Sequence, residues 1–128
     1  QEYLEFVRLH PQWQKSKVKA IFADTSYLYG WPSDLQLPDS SKADAPACYV
    51  SWYAANAYAK SVGKRLPLLD EWEFLAMADE STPNAREKSG YSDAIIDLYL
   101  QKNRQYNAVK QSPPNYWQVY NLFDLVWE

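Results

Sequence analysis

Sulfur and imidazole side chains are scarce in these 128 residues: one cysteine, Cys48, one histidine, His10, and one methionine, Met77. A single thiol rules out an internal disulfide and any multi-thiolate metal site. A single imidazole rules out His-pair zinc sites and most acid–base triads. Asp70, Glu71 and Glu73 form the densest acidic group, and their spacing puts Asp70 and Glu73 on one side of a helix. A paired-carboxylate hydrolase could use such a pair, but acids at this position are also what the positive end of a helix dipole attracts, and that structural reading is the one adopted. Cys48 sits in the apolar run "ACYV" and reads as a small buried residue. A buried thiol with no positive neighbour to lower its pKa is a poor nucleophile.

The material for a core is ample. Apolar residues make up 47% of the chain and aromatics 16%, with six Trp and eleven Tyr, which argues against disorder, and one domain, or part of a larger one, is expected. The net charge of −3 with scattered basic residues argues against an electrostatic nucleic-acid binder. No apolar run reaches the roughly 20 residues that a membrane-spanning helix needs. The chain starts at Gln1, so a processed N-terminus is expected, one that fits export to the periplasm or cell envelope.

The elements that would position these groups follow from periodicity. "EYLEFVRL" (2 to 9) places Tyr3, Leu4, Phe6 and Val7 along one side of a short helix ended by Pro11. "KSKVKAIF" (15 to 22) fits either a strand or another helical turn. Residues 24 to 46, rich in Pro, Ser and Asp, predict a long irregular loop ordered by its own aromatics or by function. Tyr27 and Trp31 in that loop, and Trp117 later, have two readings: packing, which is favoured, or stacking on a sugar or peptide. "ACYV" (47 to 50) predicts a short buried strand. Ser51 then caps a helix over 52 to 62, and Gly63 occupies the left-handed position past its end.

In "SVGKRLPLLDEWEFLAMAD" (61 to 79), Gly63 stops one helix and Pro67 biases Leu66 toward an extended turn. Asp70 is expected to cap the next helix, over 71 to 78, with Trp72, Leu75 and Ala76 on its apolar face and buried leucines holding the turn. A further amphipathic helix, "YSDAIIDLYLQKN" (91 to 103), is expected with Ser92 as its cap. The chain closes on "QSPPNYWQVYNLFDLVWE", a diproline turn followed by an aromatic run.

Four of these stretches, taken in order, resemble the formylglycine-generating enzyme family, the sulfatase-modifying factors. They are "EYLEFV" (2 to 7), "APACYVSWYAANAYAKSVGKRLPLLDEWEFLAMA" (45 to 78), "SPPNYWQVYN" (112 to 121) and "LVWE" (125 to 128). Gly-Lys-Arg-Leu-Pro followed by Glu-Trp-Glu is the specific signal; residues 14 to 44 and 80 to 111 match poorly. "HPQW" and "WPSDLQL" are similar to a bacterial subgroup that includes nitrite-reductase accessory proteins.

The resemblance implies an α+β fold, a variant of the C-type lectin fold with two main helices around small twisted sheets and long irregular loops. It also implies that residues 1–128 are the N-terminal part of one such domain. Family enzymes oxidise a cysteine of a sulfatase peptide to formylglycine with oxygen and a copper ion held by two cysteines. Those cysteines belong to the C-terminal part of the family pattern, and Cys48 aligns with neither. Catalytic residues are therefore not expected in this chain, and copper is expected only with a further C-terminal segment. Some members bind calcium around a Gly-Asn-Val-Trp-Glu segment, which carries over to Phe123, Asp124, Val126 and Glu128, with Asp124 and Glu128 the side-chain candidates. Here Asp124-Leu125 replaces Gly-Asn. A protein or peptide is the implied partner. The alternative is a non-catalytic branch that keeps the scaffold to bind or mature a partner enzyme; a closely spaced downstream cysteine pair would separate the two.

Overall fold

The structure is a computed structural model that describes residues 1–39, 43–100 and 108–123. The chain divides into two compact units, Gln1–Ala43 with Ala47–Leu66, and Asp44–Pro46 with Pro67–Glu128. The division therefore falls inside the Gly-Lys-Arg-Leu-Pro turn, between Leu66 and Pro67.

In the first unit, helix α1 (Glu2–Leu9) forms where the 3–4 spacing predicts it and buries Tyr3, Phe6 and Val7. Pro11 cannot continue the helix and opens a single 3₁₀ turn over Pro11–Trp13. Residues 14 to 18 close one helical-type turn, with the Val18 N–H donating to the Gln14 carbonyl at 2.9 Å. Helix α2 (Trp52–Ser61) starts as expected: the Ser51 hydroxyl accepts the Ala54 N–H at 3.2 Å. Its end is also the expected one. Gly63 has φ +69°, its N–H donates to the Lys60 carbonyl, and the Lys64 N–H donates to Ala59, the two bonds of a Schellman motif.

The core of this unit joins α1 and α2 to the irregular loop: Tyr3, Phe6, Val7, Tyr27, Leu28, Trp31 and Ala54 form one buried cluster. Tyr27 donates its hydroxyl to the Trp13 carbonyl at 2.9 Å, so in the 3.0 Å contact between the two phenols Tyr3 is the donor. Burial, and that donated bond, hold the Tyr3 phenol far above its ordinary pKa. Tyr27 and Trp31 are thus packing residues. Leu28 is fully buried at φ +49°, and its N–H donates to the carbonyl of Tyr49, itself at φ +57°. A left-handed residue cannot sit in a pleated strand, so 47–50 is not the predicted strand. Cys48 is half-buried rather than buried.

The second unit contains α3 (Leu69–Ala76) and α4 (Tyr91–Leu100). Helix α3 begins two residues before the expected start. Asp70 lies in its first turn, and the Glu71 carboxylate reaches back to accept the Leu68 N–H at 2.8 Å, half of a capping box. The expected buried leucines are not buried: Leu68 and Leu69 are exposed. Helix α4 starts at Tyr91, with the Ala94 N–H donating to the Gly90 carbonyl, so Ser92 is inside the helix and is not its cap. Among the described residues there are four α-helices and no strand, and β pairing is confined to a bridge between Ser33 and Gln36. The helices of the expected α+β fold are present. The described residues contain none of its sheets.

Candidate functional site

The second unit holds an apolar groove of about 280 Å³. Ala78, Ile95, Leu98, Val119, Leu122 and Phe123 supply most of its wall, and Asp79, Glu80, Asn115 and Asn121 add polar groups. Three local devices build it.

The first is the Asp79 turn. One carboxylate oxygen accepts the backbone N–H groups of Ser81 and Thr82, each at 2.8 Å, and the Ser81 hydroxyl at 3.1 Å. The other receives the Lys88 ammonium at 2.5 Å. The Lys88 bond first, then the backbone bonds, hold this carboxyl well below the usual carboxylate range. The second device is Tyr91, whose hydroxyl donates at 2.5 Å to the carbonyl of Ala76, the last residue of α3. Burial first, and the Asp79 charge second, push its phenol up, so it stays protonated as a donor.

The third device is Asn115, which folds the loop 113–121. Its side-chain oxygen accepts the N–H groups of Trp117 and Val119, both at 3.0 Å, while its amide donates to the Leu75 carbonyl at 2.9 Å. The loop passes through left-handed backbone at Gln118 and Asn121, and the Asn121 side chain accepts the Lys110 N–H at 2.7 Å. Phe123 meets Trp72 edge to face with centroids 5.7 Å apart.

These groups are engaged in holding turns and helix ends in place. The one carboxylate built into the wall with a full set of donors is a poor base, because those donors and the Lys88 charge favour its ionised form. Cys48 lies in the first unit, where burial pushes its thiol up and away from the reactive thiolate. Among the described residues no group of three or more His, Cys, Asp or Glu is close enough to hold a metal ion. Of the positions carried over for calcium, Phe123 is described and packs on Trp72; Asp124, Val126 and Glu128 lie outside the described residues. Trp117 is exposed and packs against Phe74 and Tyr116, with centroids 5.3 and 5.0 Å apart.

Asp79 and Asn115 are the residues that sequence reasoning passed over. Their signals were visible: an Asp two and three residues before Ser81 and Thr82 is an Asx-turn pattern, and an Asn after two prolines is a turn residue. No helix among the described residues is long and apolar enough to cross a membrane.

Residues 3–128 match the family model of the sulfatase-modifying factor enzyme 1-like domain. Among curated proteins the chain is similar to a formylglycine-generating enzyme of Streptomyces coelicolor, 37% identical over 110 residues that cover 71% of this chain and 35% of that protein. The enzyme of Thermomonospora curvata is 32% identical over 107 residues, covering 71% and 35%. The mouse enzyme is 29% identical over 107 residues, covering 71% and 29%. The chain spans about a third of the length of these relatives. No solved structure matches it significantly.

Proposed function

The chain belongs to the family of sulfatase-modifying factor enzyme 1-like domains, and from that membership we propose that it is the N-terminal part of a formylglycine-generating-enzyme-like domain. In this reading the cysteine-bearing catalytic part lies outside these 128 residues, and so do the sheets that complete a lectin-like fold. The observation that carries the reading is the match of nearly the whole chain to the family model, together with a single cysteine.

The copper site of the family does not fit the residues present. A soft Cu(I) ion needs two thiolates, and Cys48 is one half-buried thiol whose proton burial holds on. What this chain contributes is scaffold: the capped helices α2 and α3, the turn between them, and the Asn115 loop. The resemblance extends the reading to a protein or peptide partner and to calcium at Asp124 and Glu128. Calcium titration followed by calorimetry, with Asp124→Asn as control, tests the metal.

The central test uses the purified 128-residue chain with copper, reductant and a sulfatase-motif peptide, read by mass spectrometry for aldehyde. No aldehyde above the metal-only control is expected. Turnover above it contradicts the reading, and its loss in Cys48→Ser would place the chemistry at Cys48. The native protein carrying a downstream cysteine pair should form aldehyde. A native protein without that pair would instead be the scaffold branch.

A further inference from the structure

The second unit is poorly buried for its apolar content. Helices α3 and α4 contain no buried residue, and the buried hydrophobic side chains of the unit's described residues are Ala78 and Ala85. Ile95, Leu98, Val119, Leu122 and Phe123 are each half-buried, and all line the same groove. Stabilisation by burial grows with the apolar area removed from water, and Leu68, Leu69, Ile96 and Leu100 stand exposed in or beside the same two helices, so this unit has apolar burial still to gain.

We infer that this groove is an interior seat, filled by apolar side chains from the part of the protein that lies outside these 128 residues. The inference rests on the reading of the chain as one part of a larger family domain, and adds to it which surface the remainder packs against. Two observations select this occupant over a second copy of the chain. The chain spans about a third of the length of its relatives, so a relative-length protein has ample further sequence to supply. Covalent continuity also makes the docking of such a segment intramolecular, whereas a second copy must surrender its translational and rotational freedom to dock. The lining is apolar, and its one fully engaged carboxylate, Asp79, is already neutralised by Lys88, so side chains such as Leu, Phe or Trp match the seat better than charged ones.

The test is hydroxyl-radical footprinting of the full-length native protein, each side chain read as a ratio to its own oxidation in urea. Leu28, fully buried here, sets the protected standard. Leu98 is expected to fall within about twofold of Leu28, and to stay there over a hundredfold dilution. A Leu98 ratio several-fold above Leu28 overturns the inference. So does protection that fades on dilution, which would assign the seat to a second copy, and so does a native reading frame that ends at Glu128. Failure here is distinct from failure of the functional reading. Protected Leu98 without a cysteine pair or aldehyde sinks the catalytic assignment alone, and aldehyde formation with reactive Leu98 sinks this one alone.

Discussion

The two units contain similar helices and are held by different forces. In the first, α1 and α2 join a loop whose Tyr27, Leu28 and Trp31 are buried, and dispersion and burial do most of the holding. In the second, α3 and α4 bury nothing completely, and the visible restraints are polar: the Asp79 turn, the Tyr91 hydroxyl and the Asn115 loop. Regular helix is therefore no guide to where stability resides. Capping and periodicity form both pairs of helices; among the described residues a buried cluster lies beneath the first pair alone.

Leu28→Ala is the substitution with the largest expected effect, because it empties a fully buried site in the first unit. A loss of about 2–5 kcal/mol is expected in urea unfolding, with the cost of the left-handed backbone unchanged because Ala keeps the Cβ. Leu98→Ala in this same chain should cost less, about 1–2 kcal/mol, since that side chain is only partly buried. Equal costs at the two leucines would break the contrast between the units.

Asn115→Ala probes the polar restraints. It leaves the Trp117 and Val119 N–H groups and the Leu75 carbonyl without this partner, and a local loss of about 1–3 kcal/mol is expected, read as faster amide exchange over 115–119. Unchanged exchange there would mean that packing holds this loop after all.

Gly63→Val should destabilise α2 by about 1 kcal/mol or more. The cause is backbone strain, since a Cβ on Gly63 meets no atom within 4 Å while φ is +69°. Ser51→Ala should cost about 1 kcal/mol through loss of the Ala54 cap bond. Circular dichroism during urea unfolding checks both, and a silent Gly63→Val would refute the left-handed cap.

Acid should act on the second unit. The Asp79 carboxyl is held below its ordinary value of 3.8 in the folded protein, so its contribution is complete above about pH 4 and is lost as pH falls through the lower folded value. The protection factors of the Ser81 and Thr82 amides should fall more steeply below about pH 4 than in a Lys88→Met variant, in which the main cause of the lowered value is gone. Identical acid profiles for the two proteins would remove Lys88 from the account.

What was legible in the sequence was local. Ser51 and Gly63 bracket α2 because each satisfies helix-end groups within a few residues of itself, and the stripe of Tyr3, Phe6 and Val7 needs no distant partner to be read. Asp70 looks like a cap by residue type, but the turn set by Pro67 starts α3 earlier and Glu71 does the capping. The strand at 47–50 was expected from apolar composition, which carries no record that Tyr49 takes a left-handed conformation to reach Leu28. The groove was not legible at all, since its walls come from α4 and from a loop some twenty residues later, and only the fold brings them together. The calcium expectation at Asp124 and Glu128 falls outside the described residues.

The contrast between the units is tested most directly by native-state hydrogen exchange on the 128-residue chain, resolved amide by amide. Slow exchange is expected in α1 and α2, with Phe6, Val7 and Ala59 among the most protected, and exchange at least tenfold faster across α3 and α4. Equal protection in all four helices would contradict the account, because it would show that the second unit has all the core it needs.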